Sequence, residues 1–163
     1  MLDEYQRLAA VLAATGEIDS ERLQRIVFVL QALGAPLRYT FRTHFEGPYS
    51  EDLEADLNLL VTQRFVEART EPKGKAVTFR PTGAAGAYLK QADEVRSYVK
   101  VIEELRKADP RVLDFAATYG AWREFRYGAR DALERTLAAE GRQRDVAVEG
   151  ERFLERLGLL TRS

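Results

Sequence analysis

The sequence predicts a mainly α protein with one small β-hairpin. Three observations carry that expectation. Apolar residues recur at helical spacing through most of the 163 residues. Two short segments rich in β-formers, near residues 65 and 77, flank a turn. A 45% hydrophobic share supplies a core, and 31% charged residues solvate its outside. The length suits one domain, or one small domain with an appendage.

Taken in order, Tyr5, Leu8, Val11 and Leu12 form the apolar face of a first helix over residues 3–14, which Gly16 ends. Ser20 is the expected N-cap of a second helix, with Glu17 and Glu21 near its positive end. Its buried stripe is Leu23, Ile26, Val27, Leu30 and Leu33, and Gly34 with Pro36 closes it. Residues 39–45 read as a short strand or an extended loop, and Gly47 with Pro48 as a turn. Ser50 then caps a third helix that carries Leu53, Leu57, Leu60 and Val61 on one apolar face and ends near Gln63 and Arg64. Residues 65–68 and 76–79 make the hairpin around the turn 71–75, and Thr82 caps a further helix. Beyond residue 84 the chain reads helical. Val95, Tyr98, Val99, Ile102 and Leu105 form one stripe, and Val112, Leu113, Ala116, Tyr119, Trp122 and Phe125 a second after Asp109 and Pro110. Ala129, Leu133 and Leu137 mark another helix ending at Gly141. Residues 143–149 read as a polar connection before a last helix with Phe153, Leu154 and Leu157.

Three helices, a hairpin and a fourth helix make the layout of a winged helix-turn-helix unit. The expected division is therefore a winged-helix-like unit over residues 1–92 and a helical C-terminal extension over 93–163 packed on it. No Ser/Gly-rich linker separates them, so one compact domain is the other form of the same expectation.

Composition removes most enzymology. There is no cysteine, hence no disulfide, thiolate metal site or cysteine nucleophile. The single histidine, His44, makes histidine metal sites and proton relays improbable. No phosphate-binding glycine loop, dinucleotide fingerprint or calcium loop occurs, and no serine has a nucleophile-elbow context. A non-enzyme without cofactor or metal is expected. No apolar run reaches membrane-spanning length, and the charged start MLDEYQRLAA has no signal-peptide core, so the expected location is cytoplasmic. A net charge of −1 gives no strong field for polyanions, although arginine outnumbers lysine 20 to 5.

Two segments carry a family resemblance. Leu23-Gln24-Arg25-Ile26-Val27-Phe28-Val29-Leu30-Gln31 resembles the LQKLVYLLQ helix of the YwgA family. Tyr39-x-Phe41, followed by Phe45-Glu46-Gly47-Pro48-Tyr49-Ser50, Leu53 and Asp56-Leu57, resembles its Y-x-F…GPYS…L-x-x-DL core. Phe28 and Phe45 stand where tyrosine is commoner. The likeness spans residues 4–80 and extends loosely into the later helices. More distantly the layout resembles the DUF4065 group, the Panacea or SocA-like antitoxins. The first resemblance implies a helix-rich fold with a winged-helix-like unit and no catalytic residues. The second implies a protein-binding role, often beside toxins or phage-defence genes.

Two binding surfaces follow. A DNA-binding one would use the wing, with Lys73 and Lys75 at its tip and Arg69 beside them. Arg38 and Arg42 would extend the patch, and Asn58 on the third helix carries the amide that reads adenine. Against this, Glu51 and Glu54 face outward on that helix, and carboxylates are repelled by phosphate. The ordinary alternative for the lysines is a solvated turn that protects a sheet edge. A protein-binding surface would use Tyr49, Glu51 and Glu54 at the GPYS segment, whose ordinary alternative is a turn and cap with Tyr49 as a packing staple. The expectation leans narrowly to a regulator of double-stranded DNA, with a protein-interaction module as its alternative. Tyr119, Trp122, Phe125 and Tyr127 offer a homodimer contact through the C-terminal helices, or a core stripe.

Overall fold

The computed structural model describes residues 2–44, 47–70, 77–124, 127–140 and 144–160. The chain is mainly α-helical with a small antiparallel sheet. Helix α1 (Glu4–Thr15) begins where the Gln6 side chain accepts a 2.7 Å hydrogen bond from the Asp3 backbone N–H. A two-residue strand β1 (Ile18–Asp19) follows, absent from the sequence expectation. It joins the hairpin, with Ile18 opposite Phe79 and Asp19 opposite Thr78.

That pairing explains the first correction. The cap of α2 (Ser20–Ala32) is Asp19 and not Ser20. Strand pairing holds Asp19 extended, so its carboxylate accepts the Arg22 N–H at 2.8 Å, while Ser20 is already helical. Helix α2 is buried from Leu23 to Leu30, with Arg25 the partial exception.

Residues Arg42–His44 form β2 and Gly47–Tyr49 form β3, a two-stranded antiparallel ribbon. Gly47 and Pro48 are therefore strand residues and not the turn. Pro48 tolerates this because the ribbon has no third strand needing its missing N–H. Helix α3 (Glu51–Thr62) starts at Ser50, whose hydroxyl accepts the Leu53 N–H at 3.2 Å. Leu53, Leu57 and Leu60 are buried, as the spacing requires. The hairpin is present: β4 (Val66–Thr70) pairs with β5 (Val77–Pro81), and the sheet order is β1-β5-β4. Its tip, carrying Lys73 and Lys75, lies outside the described residues. Thr82 does not cap α4 (Gly83–Gln91) with its side chain; its hydroxyl instead donates to the Arg64 carbonyl at 2.9 Å.

The stripe from Val95 to Leu105 divides into α5 (Asp93–Arg96) and α6 (Val99–Lys107). At the break the Tyr98 hydroxyl donates to the Leu33 carbonyl. Then come α7 (Pro110–Glu124), α8 (Ala129–Glu140) and α9 (Arg144–Leu157). The expected polar connection 143–149 is thus mostly helix. Val146 is buried, and Gly150 lets α9 lie against α7: a Cβ there would stand 2.5 Å from the Phe115 ring. Helix α1 packs on α4, and α7 packs on both α2 and α9. One apolar cluster runs from Leu8 through Phe28 and Leu57 to Phe115, Phe153 and Leu160. No helix of the described residues is long and apolar enough to cross a membrane.

Candidate interaction surface

Two glutamines on α2 hold the segment that leads into α3. Gln31 donates to the Tyr39 carbonyl at 3.0 Å and accepts the Tyr39 N–H at 2.8 Å. Gln24 does the same to Ser50, at 3.1 and 2.9 Å. A carboxamide carries both a donor and an acceptor, so each side chain satisfies a backbone as a neighbouring strand would. The two sit seven residues apart, two helical turns, and therefore on one face. Between the clamps the Tyr39 hydroxyl donates to Asp56 at 2.8 Å. Burial, and then the Asp56 carboxylate, push the Tyr39 phenol well above its ordinary range. The residues carrying the family resemblance are thus largely those that fix β3 and the start of α3.

Arg25, on the next position of α2, adds a largely covered charge. It reaches Glu21 at 3.0 Å and Asp114 on α7. Its guanidinium fills the space beside Gly47, where a Cβ would be 3.3 Å away, and Gly47 has φ +107°. The positive φ calls for glycine there, and the guanidinium leaves a side chain little room.

These elements enclose a groove of about 410 Å³. Its floor is one face of the β4–β5 sheet, Ala68, Val77 and Phe79. One wall is α3, through Glu54, Leu57, Asn58 and Val61; the other is Pro48, Tyr49 and the start of α2 with Glu21. A larger cleft of about 730 Å³ lies between α6, α7 and α9, but Lys107, Arg152 and Arg156 there alternate with Glu104, Asp109 and Glu149. Mixed signs at an open cleft select no ligand charge.

Of the residues expected to bind a protein, Tyr49 and Glu54 line the groove and Glu51 stands one turn away, in an acidic first turn with Asp52. Those carboxylates already occupy the positive end of α3. Of the residues expected to bind DNA, Asn58 lines the same groove. Arg69 is exposed and paired with Glu17 at 3.3 Å, and Arg42 lies 3.9 Å from Glu51. Arg38 is exposed, and its backbone N–H donates to Glu4. Arg80 pairs across the strands with Glu67 at 2.5 Å, and that hydrogen bond and charge raise its pKa further. Exposed pairs of this kind hold little energy, yet each sets a carboxylate beside a cation that phosphate would need.

The aromatic cluster of α7 is engaged within the chain. Tyr119 is buried and donates to the Leu159 carbonyl at 3.0 Å. Trp122 and Tyr127 stand edge to face at 5.6 Å, with the Arg135 guanidinium over both rings. Phe125 lies outside the described residues, as does the side chain of His44.

Sequence reasoning missed the two glutamine clamps, the Arg25 network and the groove itself. The available signal was a glutamine inside an apolar helical stripe, which signals a partner without naming it.

Among curated proteins the chain is similar to "Uncharacterized protein YwgA" of Bacillus subtilis (strain 168), 28% identical over 125 residues. The match covers 72% of this chain and 74% of that protein. No family model matches the chain, and no solved structure does.

Proposed function

We propose that this YwgA-like chain is a non-enzymatic regulatory interaction protein, a winged-helix-type unit whose groove between α3, β3 and the β4–β5 sheet receives part of a protein partner. The order α1, β1, α2, α3, β4, β5 supports the winged-helix reading, with the β2–β3 ribbon inserted between α2 and α3. The observation that carries the function is the combination at the groove: an apolar floor beneath an acidic α3. Buried apolar area drives protein association, and a polar rim sets its specificity. A cytoplasmic setting fits a chain without cysteine.

DNA binding is the second reading. It is favoured by the antiparallel flap of β4 and β5, which by sequence carries Lys73 and Lys75 at its tip. Arg69, Arg42, Arg38 and Asn58 would be its further contacts. The described part of the unit supports it less, because Arg69, Arg80 and Arg42 each stand beside a carboxylate.

One pair of measurements decides between them. Tagged protein is used to capture partners from its source cells, alongside a variant with Glu51→Lys, Asp52→Lys and Glu54→Lys. Protein reading: a partner held by the wild type and lost by the variant, with no shift of random duplex at low salt. DNA reading: a duplex shift that weakens steeply with salt and strengthens in the charge-reversed variant. Capture that the variant leaves unchanged removes α3 as the contact.

A further inference from the structure

We propose that the groove takes an extended protein segment in which large apolar side chains alternate with arginine or lysine. This rests on the protein-binding reading above and names the chemistry of its partner. The floor sets the apolar half. Ala68 and Phe79 are register partners, and Val77 lies two residues from Phe79, so all three share one face of the sheet. Leu57 and Val61 continue that surface up the α3 wall. The volume, about 410 Å³, is at the lower end of ligand-site size and admits one or two large side chains.

Charge sets the other half. Glu54 is exposed on the rim and forms no ion pair among the described residues. On the opposite rim, Glu21 is paired with Arg25 at 3.0 Å, and both line the groove, so that rim is balanced and the acidic character comes from the α3 side. Glu51, one turn before Glu54 on the same helix, is a further exposed carboxylate, with Arg42 3.9 Å from it. A cation entering here is attracted by the α3 wall, and a phosphate or acidic segment is repelled by it.

Length sets the extended form. From Glu54 to Val61 the α3 wall rises about 10 Å, the reach of about three extended residues. The Asn58 side chain stands midway along it, exposed and without a hydrogen bond among the described residues. Its carboxamide matches one backbone N–H and C=O of a passing strand, as Gln24 and Gln31 already do inside the molecule.

The test is fluorescence anisotropy on the full chain with three labelled octapeptides. One alternates leucine with arginine, one leucine with glutamate, one serine with arginine. The first binds, and each of the others binds at least about tenfold more weakly. Ala68→Trp fills the groove at an exposed strand position that accepts an aromatic residue, and Glu54→Lys reverses the rim charge. Each lowers affinity for the first peptide about tenfold or more, while Glu103→Lys on the outside of α6 leaves it unchanged. Thermal melts confirm that all three variants are folded. Equal binding of the glutamate peptide, or full binding by both Ala68→Trp and Glu54→Lys, overturns the proposal. If no peptide binds while the α3 charge reversal still abolishes partner capture, this inference falls and the protein-binding reading stands. If capture is also unaffected, both fall.

Discussion

Gln24 and Gln31 hold their backbone partners by amide pairs in a part of the fold where only a three-residue ribbon supplies strand pairing. Each leaves a backbone N–H and C=O unpaired if truncated, and the Ser50 pair is buried. Tyr39 sits between the clamps, and its protonation has a measurable consequence. Burial and Asp56 raise its phenol above the ordinary value near 10. The folded chain therefore holds that proton more tightly than the unfolded chain does. The stabilisation is complete below about pH 10 and is lost as pH rises beyond it. Tyr39→Phe removes the donor to Asp56 and costs about 1–3 kcal/mol at neutral pH. Urea denaturation of this variant loses stability less steeply above pH 10 than the wild type does. Tyr119, raised by burial, keeps part of the slope, and an identical slope in the variant would remove Tyr39 as its source. The sequence placed Tyr39 and Asp56 in a common motif but not in contact, because they stand seventeen residues apart with a ribbon between them whose path is set by α2.

At the scale of the element, helical period and caps were readable and close approach was not. Leu53, Leu57 and Leu60 predicted the buried face of α3, and the outward positions of Glu51, Glu54, Asn58 and Thr62 followed from it. The start of α9 was not readable in this way. Arg144, Asp145 and Glu149 resemble a solvated loop, and a glycine at 150 argues locally against helix. Tertiary packing overrides this, since the missing side chain lets α9 approach the Phe115 ring. Gly150→Ala tests the point because its two effects have opposite signs. Helix propensity would stabilise by up to about 1 kcal/mol, whereas overpacking costs about 1–3 kcal/mol. The expected outcome is a lower melting temperature by circular dichroism, and an increase would show that the α7–α9 contact has room to spare. The Gly47 and Pro48 expectation failed for a related reason. The residues have turn character, but Arg25 occupies the space beside Gly47 and the ribbon claims both for β3.

For the whole molecule, the expected division at residue 92 crosses one continuous apolar cluster. Helix α7 lies on α2, and Gly120 of α7 sits where a Cβ would be 3.1 Å from the Phe28 ring. Arg25 ties α2 to α7 through Asp114, and Arg22 donates to the Ala108 carbonyl beyond the end of α6. The halves are therefore expected to unfold together. Near- and far-ultraviolet circular dichroism should give one coincident thermal transition, and two resolved transitions would establish separately stable units; light scattering on the same sample reports whether the chain pairs with a copy of itself. The sequence alone determined the helical class, the hairpin and the buried face of α3, because periodicity and turn chemistry are local and each residue carries its own share of them. Only the tertiary structure decided which cations are already paired, which glutamines act as clamps and where a groove opens. Those depend on side chains brought together from distant positions, and no local pattern encodes the distance between Glu54 and Phe79 or the contact between Arg25 and Asp114.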